Sequence, residues 1–383
     1  MKVVFISTSL TTGGAEVMLL KLLQHIDRGR FDPQVISLKA KGEVGPSIEA
    51  LGIPVLALDM EPGLPNPFKV LMLVNQLRKF KPDLVQTWMY HADLLGGLAA
   101  RLAGCRHVVW GLRNSNLDEK LSKHSTLMVV NACAALSSWL PAQILSCSKR
   151  AAEIHTLAGY QADKIQIIPN GFDLGRFRPD DAVRLAVRLE LGLTPEIQLV
   201  GLIARFDSQK NHAGFIEAAA IIRRDLPGVH FVLAGRGIDG SNTSLQDAIR
   251  ANGLGECMHL LGLRDDMPRL MAAMDVLASS STFGESFPNV LGESMACEVP
   301  CVVTDVGDSA EIVGESGHVV RAGDMPSLAA HIVELLRLPT EAKCALGRRA
   351  RARVESLYEI SHVARLYESF YERLVGLNLK GNI

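Results

Sequence analysis

The chain has 383 residues, 48% of them hydrophobic, which exceeds one typical domain and can furnish two cores. No run of 18 apolar residues lacks a charge or a breaker, so a spanning helix is excluded; the longest candidate, 126–147, is interrupted by Asn131, Ser137, Ser138 and Pro141. The net charge of −1 hides a split, with 20 Lys and Arg against 14 Asp and Glu in residues 1–179 and 20 against 27 in residues 180–383.

A basic front half suggests an anionic partner such as a membrane face, although ordinary variation in surface charge gives the same split. No nucleic-acid partner is expected. Met1-Lys2 leads straight into a strand-like Val-Val-Phe-Ile without a cleavage site, so no signal peptide is expected. Seven cysteines are scattered without Cys-x-x-Cys or metal-ligand spacing. That usage fits a reducing cytoplasm.

In chain order, 3–7, 34–38, 53–58, 83–88, 107–110 and 143–147 read as strands, and 14–26, 67–80, 91–103 and 119–139 carry helical spacing. Near-continuous apolar strands separated by helices predict a parallel sheet covered on both faces. The first loop, Thr11-Thr12-Gly13-Gly14-Ala15-Glu16, opens a helix. Gly13 and Gly14 would let backbone approach a ligand, and the helix start offers N–H groups to phosphate. The loop is not Gly-x-Gly-x-x-Gly, so a nicotinamide fingerprint is unsupported. His91, in Trp88-Met-Tyr-His-Ala-Asp93, follows the fourth strand; it reads as an acceptor contact or as a capping or surface residue.

The chain turns at Ile168-Pro-Asn-Gly-Phe-Asp173 and a second alternation begins, with strands at 198–204, 230–234, 258–261, 276–279 and 300–304. The boundary falls between about 172 and 195. The fold class is α/β: two doubly wound, Rossmann-like domains facing across a cleft, whose ligands lie at the carboxyl ends of strands. Arg205 follows the first strand of this half and Lys210 comes five later at a helix start. Two cations there can neutralise a diphosphate leaving group. The turns at Gly235 and Gly237 and at Arg264 read as ligand loops or as structural turns. Neither half contains Asp-x-Asp, so no catalytic metal is indicated.

The most informative segment is Phe283-Gly-Glu285-Ser-Phe287-Pro288-Asn289-Val290-Leu291-Gly-Glu293. Pro288 suits the first turn of a helix, leaving Glu285 in the loop before it and Glu293 on it. Each carboxylate can accept hydrogen bonds from a sugar diol. The helix entrance between them, from Phe287 to Leu291, presents N–H groups to anionic oxygen.

This segment resembles the Glu-x7-Glu signature of the retaining family-4 glycosyltransferases, which have the GT-B fold. The resemblance implies that Glu285 lies by the donor sugar and Glu293 holds the nucleotide ribose. Arg205 and Lys210 match the family's Arg-x4-Lys pair on the donor phosphates. Gly235, Gly237 and Arg264 resemble its nucleobase turns, and Gly13, Gly14 and Glu16 its N-terminal loop near donor phosphates and acceptor. Thr304-Asp-Val-Gly-Asp-Ser-Ala-Glu311 matches a closing motif that is chiefly structural. Many relatives carry a His after the fifth strand; here Val109-Trp-Gly-Leu-Arg113-Asn114-Ser has none, so Arg113 or Asn114 is expected in its place.

The expectation is thus a retaining, metal-independent hexosyltransferase using a nucleotide-diphosphate sugar, with no cofactor and a glycan or lipid-linked acceptor. It would serve cell-surface polysaccharide or lipopolysaccharide synthesis, in the cytoplasm or peripheral on the inner membrane face. The expected domains are 1–175 on the acceptor side, 176–358 for the donor, and 359–383 as a helix crossing back onto the first. A sugar-nucleotide epimerase or a non-catalytic nucleotide-sugar binder on the same scaffold remains the alternative.

Overall fold

Val3 to Ile6 are all apolar because the strand they form is covered on both faces. In the computed structural model, which describes residues 1–61, 63, 66–117 and 123–376, Val3 and Phe5 enter one core while Val4 and Ile6 enter another. That alternation is the two-residue period of a strand.

In chain order the first elements are β1 (Lys2–Ser7), α1 (Gly14–His25), β2 (Asp32–Ser37), α2 (Val44–Glu49), β3 (Val55–Ala57), α3 (Pro67–Phe80), β4 (Leu84–Trp88), α4 (Gly97–Leu102), β5 (Val108–Leu112), α5 (His124–Leu136), β6 (Gln143–Ser146), α6 (Lys149–Leu157) and β7 (Ile165–Ile167). Then follow α7 (Asp181–Glu190), β8 (Leu199–Ile203), α8 (His212–Asp225), β9 (His230–Ala234), α9 (Thr243–Ala251), β10 (Met258–Leu260), α10 (Met267–Ala273) and β11 (Val276–Ser279). The last are α11 (Asn289–Ala296), β12 (Cys301–Thr304), α12 (Ser309–Val313), β13 (His318–Val320), α13 (Met325–Arg337), α14 (Thr340–Tyr358) and α15 (Ile360–Val375).

The chain divides into two units, Met1–Gly171 with the segment from Ile360, and Phe172–Glu359. The first holds a seven-stranded parallel sheet in the order β3-β2-β1-β4-β5-β6-β7. On one face α1, α2 and α15 supply Leu19, Ile48 and Val363 to a core; on the other α3, α4 and α5 supply Leu73, Ala99 and Cys133. Arg30 fastens α15 further by pairing with Glu368 at 3.2 Å. The second unit holds a six-stranded parallel sheet, β10-β9-β8-β11-β12-β13, over a core that includes Phe215, Phe231 and Ile332. Before β8 lies α7, whose buried Arg188 reaches Asp275 at 2.7 Å.

In both sheets the strand order reverses beside the first strand, at β1/β4 and at β8/β11. Ligands of open α/β sheets lie outside the carboxyl ends at such a switch point. The loops after β1, β4, β8 and β11 therefore stand where a ligand of such a sheet would lie.

Two helices differ from their sequence patterns. The helix read over 91–103 begins with a π-helical turn, Ala92–Gly96, before α4. The wider turn brings the Asp93 carboxylate to Thr87 Oγ1 at 2.5 Å and to the Gly111 N–H at 3.1 Å. The helix read over 119–139 is α5, and residues 118–122 lie outside the described residues. The short elements α2, α6, β7 and β13 escaped the sequence reading; β7 and β13 are brief edge strands, too short to show a period.

Candidate functional site

In the second unit the loop after β8 carries Arg205 and enters a 3₁₀ turn, Ser208–Lys210. Asp207 caps that turn by accepting from the Gln209 N–H at 3.0 Å, and it also receives Arg205 Nε at 3.1 Å. Asn211 then takes a left-handed conformation, φ 50°, and its side chain caps α8 by accepting from Gly214. Asn tolerates both duties. The Arg205 side chain is 58% exposed, so its guanidinium can turn toward an incoming anion.

Lys210 is held differently. Its Nζ pairs with Glu285 Oε1, with the two side chains 16% and 9% exposed. Ser281 Oγ donates to the same carboxylate oxygen at 2.7 Å. The loop after β11 is itself bonded to the 3₁₀ turn: Ser280 Oγ donates to Lys210 O at 2.8 Å and Thr282 N–H to Gln209 O at 2.9 Å. The two loops at the β8/β11 switch point thus form one piece, with the lysine and the glutamate at its centre.

From there the chain passes Ser286 and Phe287 into α11. Pro288 precedes the helix as its N-cap, ψ 101°, without a side-chain cap. The sequence reading had it one residue later, inside the first turn; its φ of −69° suits either place, and the extended ψ decides. Asn289 and Val290 are half-buried at the helix start. Leu291 is fully buried, main chain and side chain alike. Glu293 lies one turn further along, half-buried.

The seat of α11 is aromatic. Phe287 stacks on Phe172 with centroids 6.2 Å apart, and Tyr358 meets Phe287 edge-on. Only a residue without Cβ fits at position 292, where a Cβ would fall 2.1 Å from the Phe172 ring. The closing motif buttresses the same loop, as Thr304 Oγ1 donates to Ser281 O at 2.6 Å and Asp308 N–H to Ser286 O at 3.0 Å.

Gly235 has φ 147° and approaches the Ala204 carbonyl so closely that a Cβ would lie 2.1 Å from it. Gly237, φ 76°, continues that turn, and the Arg236 carbonyl accepts from the Phe206 N–H at 2.8 Å. The Gly-x-Gly turn therefore positions the Arg205 loop. Arg264 is engaged as well: Nε and Nη2 meet the two oxygens of Asp266 at 2.7 and 2.5 Å. That bidentate pair commits the Arg264 side chain to its own loop.

In the first unit, Gly13 is the N-cap of α1 and Gly14 its first residue. Glu16 folds back, with Oε2 lying 2.6 Å from where a Cβ on Gly13 would stand. Burial raises its carboxyl above the usual range, against a hydrogen bond from Ser9. At the other strand of this switch point, Met89 holds φ 80°, a strained value for a residue with a side chain. His91 follows it, half-buried; burial and then Lys39 lower its imidazole. Its side chain makes no cap hydrogen bond, so the capping reading fails.

Arg113 leaves β5 with its guanidinium 3.7 Å from the centre of the Trp88 ring, donating to Asn170 Oδ1 at 3.0 Å and to the Tyr367 hydroxyl of α15. Asn114 shapes its own loop by accepting from the Asn116 N–H at 3.0 Å. Both side chains expected near the sugar are engaged within the unit.

Sequence reasoning missed four residues. Ser281 and Phe172 act only through their neighbours and carry no motif. Asp93 is fully buried and its carboxyl is raised to about 7 by burial. His212, at the start of α8, is buried against Phe206, and burial followed by Lys210 lowers it to about 4, so it is uncharged beside the cations at neutral pH. Among the described residues one cluster could hold a metal ion, His318, His331 and Glu334. It starts at the amino end of β13, away from the strand ends that carry the other residues.

Two family models match. "Glycosyltransferase Family 4" covers residues 12–176 and "Glycosyl transferases group 1" covers residues 197–338. A UDP-Gal:alpha-D-GlcNAc-diphosphoundecaprenol alpha-1,3-galactosyltransferase of Escherichia coli is 28% identical over 84% of each chain. A D-inositol 3-phosphate glycosyltransferase of Mycobacterium tuberculosis is 26% identical over 95% of this chain and 79% of its own. Among solved structures, Anabaena Alr3699/HepE in complex with UDP is similar at TM-score 0.85 and 25% identity, over 97% of this chain and all of that one.

Proposed function

This chain belongs to the family-4 glycosyltransferases of the GT-B fold, and from that we infer that it moves a sugar, with retention and without a metal, from a nucleoside diphosphate to a membrane-held acceptor. A lipid diphosphate or a growing cell-surface glycan is the acceptor class, in polysaccharide or lipopolysaccharide synthesis. The galactosyltransferase relative acts on a diphosphoundecaprenol acceptor, and the similar solved structure holds UDP; both support this reading.

The observation that carries it is the joined pair of loops at the β8/β11 switch point, where Lys210 is fixed by Glu285 with Arg205 on the same turn. As the glycosidic bond breaks, negative charge grows on the leaving diphosphate. A cation already oriented there stabilises that charge without reorganising. In this mechanism Lys210 meets the phosphate, Arg205 swings from Asp207 onto it, and Glu285 orients the lysine while accepting from sugar hydroxyls. Glu293 grips the ribose, and the start of α11 faces the phosphate. The acceptor hydroxyl arrives on the face that the leaving group vacates, and the departing phosphate oxygen takes its proton, so configuration is kept. Binding in this orientation supplies much of the acceleration.

The test supplies purified protein, exhaustively treated with chelator, with α-linked UDP-sugars and a diphosphate-lipid acceptor. An α-linked product, with UDP released only when acceptor is present, is the expected result. A β-linked product, or activity restored only by Mg²⁺ or Mn²⁺, would overturn retention or metal independence. An epimerised nucleotide sugar without acceptor would identify the epimerase alternative, and donor binding without turnover the binding-protein one.

A further inference from the structure

The exposed stripe of α3 runs through Phe68, Leu71, Met72, Asn75, Arg78 and Lys79, the spacing of one helical face. Its first half is apolar and bare to solvent, with Phe68 78%, Leu71 54% and Met72 46% exposed. Its second half is cationic. Lys69, Arg78, Lys79 and Lys81 lie on or just after the helix, and no acidic residue occurs between Glu61 and Asp83. Adjacent large apolar side chains rarely stand exposed on one helix face unless something covers them.

At the cationic end, the last turn of α3 and the end of α4 enclose a cavity of about 420 Å³, lined by Leu77, Arg78, Lys81, Pro82, Ala103 and Cys105. Two of its lining residues, Arg78 and Lys81, are cations, and Arg78 Nη2 donates to the Leu102 carbonyl at 3.0 Å. Helices in a parallel sheet run antiparallel to the strands. The apolar half of α3 therefore lies toward the carboxyl edge, where the loops after β1 and β4 carry Glu16 and His91. Phe68 and Arg78 are about 15 Å apart along the axis, so a helix lying in a bilayer interface would engage both halves.

We propose that this stripe and its cavity dock the protein on an anionic lipid bilayer, with Phe68, Leu71 and Met72 entering the acyl boundary and Arg78 and Lys81 seating a lipid phosphate. The occupant follows from charge complementarity: Arg78 and Lys79 at one end of the stripe, Lys81 just beyond them and an apolar tip at the other end fit an anionic interface. The proposal deepens the reading of a membrane-held acceptor, because the membrane-entering end of α3 lies toward the same edge of the sheet as the loops after β1 and β4.

The experiment is co-sedimentation of the full chain with phosphatidylcholine vesicles and with phosphatidylcholine–phosphatidylglycerol vesicles, without donor or acceptor. Wild type should partition onto the anionic vesicles alone, more weakly as salt rises. Phe68→Ser with Leu71→Ser should weaken partition at least about tenfold. Arg78→Gln with Lys79→Gln should cost roughly fivefold per charge. Leu157→Ser with Ile167→Ser, on exposed apolar residues elsewhere in the unit, should change nothing. All variants should keep their circular dichroism and their transfer to a water-soluble acceptor. Equal binding to both vesicles, an equal loss in the control pair, or displacement by millimolar inorganic phosphate would overturn the proposal. Transfer and partition are read separately on the wild type: transfer without partition onto anionic vesicles removes this surface, and partition without transfer removes the proposed reaction.

Discussion

In the second unit Arg205, Lys210 and Arg264 each meet an opposite charge within hydrogen-bond reach, whereas in the first unit Arg113 lies between Trp88, Asn170 and Tyr367 and Glu16 is buried in its own loop. Charge pairs hold a cation in place yet can exchange one anion for another. A guanidinium packed on an indole and tied to a distant helix is a structural tie. The contrast separates a unit whose cations sit in exchangeable charge pairs from one whose polar residues are largely committed to its own architecture.

The largest effects should fall on the charge pairs. Arg205→Ala and Lys210→Ala should each lower kcat by about 10²–10³, read in steady-state transfer assays. They should part in stability. Lys210→Ala removes the cation paired with the buried Glu285 carboxylate and should destabilise the protein by about 3 kcal/mol. Arg205→Ala, at an exposed side chain, should leave the urea midpoint unchanged. Equal stability of the two would mean that the Lys210–Glu285 pair is not held as described.

The first unit offers a sharper contrast through pH. Burial raises the Asp93 carboxyl to about 7, so between about pH 4 and 7 the folded chain holds a proton that the unfolded chain releases. Stability from this group is present at low pH, falls as pH rises through that window, and is flat above it. Asp93→Asn keeps the acceptor oxygen for Thr87 and removes the charge. Its stability relative to wild type should rise by a few kcal/mol from pH 5 to pH 8. Chemical denaturation at the two values reads this directly, and a constant difference would refute it.

Next in size, Arg113→Ala should destabilise by about 2 kcal/mol through the lost ring contact and hydrogen bonds, with donor KM unchanged. A changed donor KM at wild-type stability would instead make Arg113 the stand-in for the family's histidine. The smallest effect belongs to Glu293→Ala, expected to raise donor KM about tenfold at nearly constant kcat, since a ribose grip is alike in ground and transition states. A kcat loss at constant KM would move Glu293 from binding to chemistry.

The placement of Arg205 near Lys210 and of Glu285 near Glu293 was legible because each pair is local in sequence. Arg205 and Lys210 share one turn, and Glu285 and Glu293 share one loop and helix, so spacing carries their geometry. The pairing of Lys210 with Glu285 was not legible, because 75 residues separate them and only the neighbouring positions of β8 and β11 bring them together. The partners of Arg113 were not legible for the same reason: Trp88, Asn170 and Tyr367 come from three distant segments.

By itself the sequence determined the alternation of buried strands and helices, the two sheets it builds, and the motif that marks the family, because these rest on periodicity and near neighbours. The tertiary structure alone decided which charges are paired, which carboxyl is buried at Asp93, that Phe172 and Gly292 seat α11, and which face of α3 stands uncovered. Each of these depends on what lies opposite a residue across the fold, and chain order does not record that.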